Sequence, residues 1–592
     1  MTLDTIDWTL IVGFMAVTLV IGLALTKRAG RSSADFFLAG RGMPWWLLGM
    51  SMVATTFSAG TPNFVTDIVR QQGVAGNWIW WAFLLTGMMT VFVYAKLWRR
   101  SGVMTDIEFY ELRYSGRPAA FLRGFRALYL GVLFNVIVLA SANLAAIKIA
   151  GAMLGTTPTQ TVLVAGLVTA IYSMLGGLRG VLITDFLLFV ISMGGAIAAA
   201  VYLLNLDCVG GLAHLLEHEV VRTRLSMFPD WNNPDMVVAV FVIPLTVQWW
   251  SVWYPGAEPG GGGYVAQRML AAKNELHATG ATLLFNVAHY ALRPWPWILV
   301  AFCSIVVFPD LESLRSAFPH MPENVIKDDL AYPAMMTLLP SGLRGLVLAS
   351  LMAAFMSTLS THLNWGSSYV VNDFYKRFVR PEATEKQLVL AGRICTLLTM
   401  VVAALLGLGL SNALQVFRIL LQVGAGTGLL FLLRWFWWRI NAFSEITAMV
   451  VSFVVAIGVE LFGPEDLPSW AKIVAGVGIT TIAWLLATFL TRPTDEATLR
   501  QFCRLVHPGG PGWAAVLRRA AADGELVEQE GQRWNVPMEI VCMLIGCAAV
   551  YSVLIATGYW IYGNWLPAAM LTGTAAGCTL VLIRTWKRVN AS

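Results

Sequence analysis

The sequence predicts an all-α polytopic membrane protein built around an inverted repeat of two five-helix units, and three observations predict it. The 592 residues are 57% hydrophobic and only 12% charged, with a mean hydropathy of +0.67, far too apolar for a soluble chain of this size. Apolar stretches near or above the ~20 residues that a crossing needs recur about fifteen times. Two of these stretches, five apart in order, are interrupted by Gly, Pro and small hydroxyl residues.

In chain order the stretches fall at 7–26, 44–66, 76–98, 126–152, 158–178, 181–206, 236–256, 279–309, 342–372, 389–411, 413–438, 443–463, 468–490, 538–560 and 563–584. If each crosses, one side collects the basic residues, among them Lys27, Arg31, Lys96, Arg99, Arg100, Arg268, Lys273, Lys376, Arg377 and Arg584. The other side holds Asp4, Asp7, the 207–235 loop and the acidic 310–329 loop with Asp328 and Asp329. The positive-inside rule then places the N-terminus outside and the C-terminus in the cytoplasm, in the cell (inner) membrane. The first stretch has no basic leader and no small-residue cleavage pattern, so it is expected to stay in the mature protein. The net charge of +6 is carried by these inner loops, which points to an anionic membrane face and not to nucleic acid. Seven scattered cysteines read as small core residues.

The second stretch contains SMVATTFSAGTPNF (51–64) and the seventh ends in YPGAEPGGGGY (254–264). Either alone is readily a kink or an interfacial loop. Irregular backbone at membrane depth is tolerated only where it lines a cavity or is buried in protein. Two breaks in corresponding positions of segments 2–6 and 7–11, oppositely oriented, are the mark of an inverted-repeat transporter. The ninth stretch adds Ala354, Ser357 and Thr358 on one helix face at i, i+3 and i+4. Hydroxyls and a freed carbonyl suit a hard monovalent cation that must be bound and then released, so this helix reads as half of a sodium site. The plainer reading is Ser and Thr bonding back to the preceding turn or joining neighbouring helices.

Four blocks, SSADFFLAGRGMPWW (32–46), IYSMLGGLRGVLITD (171–185), YVAQRMLAAKNELHA (264–278) and LPSGLRGLVLASLMAAFMSTLS (339–360), make the chain similar to the sodium:solute symporter family over about residues 7–490. The resemblance implies a leucine-transporter-type fold with one extra helix in front, and co-transported sodium between the second and ninth segments. Its ligands would be the carbonyls of Ala54, Phe57 and Ala354 and the hydroxyls of Ser357 and Thr358. Asp185 matches an aspartate on the inner sodium exit path; its plainer reading is a carboxylate paired with Arg179. Tyr264 resembles the aromatic that closes the substrate cavity from inside, against an interfacial anchor. Where the resemblance implies acidic or amide side chains on the breaks of sugar-carrying relatives, this chain has Gly60, Thr61, Gly262 and Gly263, so a sugar held in that same way is not expected. Gln248, Trp249, Trp250, Trp253 and Glu258 offer aromatic faces, an amide and a carboxylate instead, although tryptophans also mark membrane interfaces.

Lys148 reads as a snorkelling side chain, and Arg293 as a mid-membrane cation in a structural pair or facing a solute carboxylate. HLLEH (214–218) has inverted zinc-peptidase spacing but reads as a solvated helix face. The expected organisation is an N-terminal helix and loop (1–43), a first repeat with its outer loop (44–235), a second repeat (236–440), two added helices (441–490), a cytoplasmic loop with an amphipathic helix (491–537) and two C-terminal helices (538–592). The expected function is a secondary active transporter coupling inward sodium movement to uptake of a small polar organic solute by alternating access, not an enzyme. The alternative is a substrate-sensing receptor on the same fold.

Overall fold

The computed structural model describes residues 3–56, 58–251, 258–319, 321, 323, 326–410, 426–464, 467–527 and 534–589. These residues are helical with no strand among them; Met43 and Ala272 form an isolated bridge. The helices that carry the account are α1 (Thr5–Ala29), α2 (Trp45–Thr56), α3 (Gly60–Gln72), α4 (Gly116–Leu128), α5 (Asn135–Leu154), α6 (Pro158–Leu204), α7 (Gly263–Ala271), α8 (Glu275–Val287), α9 (Pro294–Val307), α10 (Leu343–Ser368), α11 (Glu385–Gly409), α12 (Ala442–Phe462), α13 (Ser469–Leu490), α14 (Glu496–Val506), α15 (Ala514–Ala522), α16 (Val536–Ile561) and α17 (Trp565–Val589).

Among the described residues, eleven helices are long and apolar enough to cross a membrane. The four remaining expected crossings differ for identifiable reasons. Stretch 44–66 is divided into α2 and α3, 158–178 lies in α6, the same helix that carries 181–206, and 236–256 is an apolar helix over Pro234–Thr246. Of 413–438, residues up to 425 lie outside the described residues. Stretches 158–178 and 181–206 meet within α6 at Gly177, whose φ of 54° is open to glycine and whose added Cβ would sit 2.9 Å from the Phe36 carbonyl.

α10 is the central post: its buried face runs nearly its whole length, against α1, α5, α6 and α11. Its N-terminus is closed from another helix. Asp7 of α1, fully buried, accepts from the Gly342 and Gly345 amides at 2.8 Å each and pairs with Arg344 at 3.1 Å, giving the orphan N–H groups and the positive helix end a carboxylate. Thr384 and Asn441 form capping boxes that start α11 and α12. α12 packs on α13, and α16 on α17.

The 491–537 segment departs from expectation. α14 is amphipathic, but its apolar face, Leu499, Phe502, Cys503 and Val506, is buried against protein and not left for lipid. Trp98, Phe109, Trp435 and Trp513 receive it, and the Arg113 guanidinium lies over both Phe502 (5.4 Å) and Trp513 (4.8 Å).

Candidate functional site

The site begins with the end of α2. A helix leaves its last four carbonyls without intrahelical partners, here those of residues 53 to 56. Arg293, just before α9, donates to the Val53 carbonyl at 2.9 Å. Thr358 on α10 donates to the Thr55 carbonyl at 3.2 Å, and Thr61 to that of Thr56 at 3.5 Å. Among the described residues no donor reaches the Ala54 carbonyl. Phe57, the remaining expected ligand on this break, lies outside the described residues.

α10 brings the other half. Ala354, Ser357 and Thr358 are buried on its face toward α2 and α6. The Thr358 hydroxyl also donates to the Ala354 carbonyl at 3.1 Å, so the back-bonding expected of a threonine in a membrane helix is present. The Ser357 hydroxyl is instead donated across the interface to Asp185 Oδ1 of α6 at 2.6 Å. Both oxygens keep lone pairs while their protons are committed, which is the state that a cation requires of a hydroxyl ligand.

Asp185 does not pair with Arg179, which donates to the Ala39 carbonyl. Its partner is Arg268 of α7, 3.7 Å from Oδ2, with both side chains wholly buried. Ser51 of α2 joins them: it donates to Asp185 Oδ2 at 2.5 Å and accepts from Arg268 Nε and Nη2 at 3.2 and 3.1 Å. Arg268 also donates to Thr361 at 2.7 Å and Gln267 at 2.9 Å. Of this network the sequence marks Asp185 and its donor Ser357 as site residues, but not Ser51, Gln267 or Thr361. Arg268 carries a signal of its own, a charge inside the QRM block of a broken helix, although the basic-loop pattern assigns it to an inner loop.

The two breaks meet at Tyr264, whose hydroxyl lies 2.7 Å from the Thr56 hydroxyl, the last residue of α2. Its ring is 6.1 Å from that of His362 on α10, and His362 in turn bonds Asn135 of α5 at 2.9 Å. Gly60 and Thr61 open α3 beside this junction, the Thr61 hydroxyl 3.4 Å from that of Ser58. The other expected substrate residues are placed elsewhere or lie beyond description. Gln248 donates to the Ile79 carbonyl at 2.8 Å, Trp249 packs half-buried on the main core, Trp250 donates to the Thr246 carbonyl, and Trp253 is outside the described residues. Glu258 is taken up by a buried charge cluster, held by Arg126 of α4 and by Arg434 at 3.4 Å, which also pairs with Glu445 at 3.4 Å. Between the crossings, Asp106 accepts from the Gly263 amide at the start of α7 at 2.8 Å and from the Tyr369 hydroxyl. Burial, then the nearby Glu258, pushes its carboxyl up to about 7.

At the end of the bundle away from the basic loops, Arg70 of α3 pairs with Asp328 at 2.8 Å and Lys148 of α5 with Asp329 at 2.9 Å. Lys148 is thus held in an ion pair. His214 of HLLEH lies 2.9 Å from the Val209 carbonyl through Nδ1.

A sequence profile described as the sodium:solute symporter family matches residues 36–452. The chain is 26% identical over 516 residues to a sodium/glucose cotransporter of Vibrio parahaemolyticus, covering 83% of this chain and 92% of that one. It is 28% identical over 496 residues to sodium/myo-inositol cotransporter 2 of Oryctolagus cuniculus, covering 77% and 69%. Among solved structures, a sodium-coupled sialic acid symporter in a substrate-bound outward-open state superposes with a TM-score of 0.66 at 20% identity, covering 83% of this chain and 99% of that one. That likeness establishes the fold.

Proposed function

The chain belongs to the sodium:solute symporter family and couples sodium to solute uptake across a membrane that it crosses many times; we propose that its sodium is held by the carbonyls of Ala54, Phe57 and Ala354 and the hydroxyls of Ser357 and Thr358. The observation that carries this reading is the end of α2. The carbonyls of residues 53, 55 and 56 each meet a named donor, while that of Ala54, on the helix facing Ser357 and Thr358, meets none among the described residues. Asp185, hydrogen-bonded to Ser357, stands where an ion leaving this site finds its next oxygen. Sodium binding joins α2 to α10 and favours solute binding, a coupling free energy shared by two ligands.

The solute is a small polar organic molecule, and sugars and polyols come first among those to test because the relatives are named for glucose and myo-inositol. Tyr264, bonded to Thr56 between the breaks, serves as the gate, with Gly60 and Thr61 beside it. The 5+5 repeat spans 44–235 and 236–440, with fifteen crossings, the N-terminus outside and the basic loops at the cytoplasmic face of the cell membrane. One sodium moving down ~100 mV supplies about 2.3 kcal/mol and a tenfold gradient about 1.4 more, enough for roughly a 400-fold solute gradient. The test is uptake of labelled sugars, polyols, amino acids and sialic acid into proteoliposomes with and without an inward sodium gradient. Sodium-dependent accumulation of one compound supports the reading; binding without accumulation refutes it in favour of a receptor.

A further inference from the structure

The buried partner of Asp185 is what the sodium reading does not use. Arg268 stands on α7, the half-helix that follows the second break, and reaches across to α2 through Ser51, to α10 through Thr361 and to α6 through Asp185. Ser51 and Ser357 each donate their one proton to Asp185, one to each carboxylate oxygen. The carboxylate therefore sits between the proposed sodium ligand and a fixed guanidinium, in a pocket from which water is excluded. A buried carboxylate without a compensating charge is strongly disfavoured, so when sodium is absent some cation must answer it. In this protein that cation is covalently attached.

We propose that Arg268 is a tethered counter-cation, a positioning residue that neutralises Asp185 in the sodium-free carrier and competes electrostatically with sodium at the neighbouring site. It rests on the assignment of sodium to Ala54, Ala354, Ser357 and Thr358. With Arg268 in place the empty site is already neutral, so the emptied carrier can reorient without taking up another cation. Because the arginine bridges the second break to both halves of the sodium site, arrival of sodium beside Ser357 weakens its hold on Asp185 and is felt directly by α7. The geometry also fixes the sign of the test. Loss of an arginine whose role is only structural weakens or abolishes sodium binding, whereas removal of a competing charge tightens it.

The experiment is radiosodium binding to the purified full-length protein. Arg268→Gln is expected to lower the half-saturating sodium concentration about tenfold with binding capacity retained, and Arg268→Lys, which keeps the charge, to stay within about threefold of the parent. An unchanged or raised sodium requirement in Arg268→Gln overturns the proposal. Should that variant fail to fold, Arg268→Lys combined with Ser51→Ala, which slackens the hold of the cation on Asp185, is expected to tighten binding, and weaker binding overturns the proposal equally. Ser357→Ala and Thr358→Val separate the two readings. If they leave sodium binding unchanged, the site assignment itself fails; if they weaken it and Arg268→Gln does not tighten it, only the role of Arg268 fails.

Discussion

Replacing Thr358 by valine removes one oxygen and almost no volume, which makes it the sharpest probe of the sodium site. The Thr358 hydroxyl donates to two carbonyls at 3.1 and 3.2 Å. Both bonds are long and neutral, and their net worth is about 1 kcal/mol, so Thr358→Val should still fold. In the sodium-bound protein the same oxygen would face a full charge, where an interaction is worth roughly 1.5–3 kcal/mol. At about 1.4 kcal/mol per factor of ten, the half-saturating sodium concentration should rise roughly 10- to 150-fold. Thr358→Ser loses the methyl and keeps the oxygen, and should stay within a few-fold of the parent. The assay is radiosodium binding, with the melting temperature in sodium-free buffer as the folding control. Equal sodium requirements for the valine and serine variants would sink the reasoning, because only the serine variant keeps the oxygen assigned to the ion.

Three further outcomes follow from the packing. Asp106 has its carboxyl pushed up to about 7, above its unfolded value, so the native state holds that proton more tightly and stability falls as pH rises from about 4 through about 7; Asp106→Asn should flatten the melting temperature between about pH 5 and pH 8. Phe502 is fully buried, stacked on Trp513 at 5.4 Å and covered by Arg113, so Phe502→Ala, at a cost of about 3–5 kcal/mol, should release α14 and speed proteolysis within 491–527 with α10 left intact. A Cβ on Gly345 would lie 2.4 Å from the Asp7 Cα, whereas one on Gly478 would meet nothing within 4 Å; Gly345→Ala should lower the melting temperature and Gly478→Ala should not.

Helix periodicity and punctuation carry far along this chain, and charge pairing does not. Eleven of the fifteen expected crossings coincide with helices long enough to span, because a membrane helix must contain some twenty apolar residues in a row and that is written locally. The break between α2 and α3 was legible for the same reason: Gly60 and Pro62 are local signals. Partners were not. Asp185 lies six residues from Arg179 in the chain, and proximity in sequence suggested that pair, but its counter-ion is Arg268, on another helix. Glu258 reads as a substrate carboxylate because it lies in the second break, yet Arg126 and Arg434 hold it from positions far away in sequence. α14 shows the same limit in apolar form: its amphipathic pattern fits a lipid surface as well as a protein one, and only the facing Trp435 and Trp513 decide between them.

The pair of Asp185 and Arg268 bears on where voltage enters the transport cycle. The proposed sodium ligands are all neutral oxygens, and the nearest carboxylate is already matched by a guanidinium. The empty site therefore sums to zero and the loaded site to one positive charge, so a membrane potential of ~100 mV acts with about 2.3 kcal/mol on the step that carries sodium and hardly at all on the return of the empty carrier. Without Arg268 the balance reverses: the loaded site would be neutral, the empty one negative, and the same potential would act on the return. In Arg268→Gln, transient currents recorded without solute should consequently shift from sodium entry to empty-carrier movement, and charge movement still confined to sodium entry would contradict this placement of the voltage-dependent step.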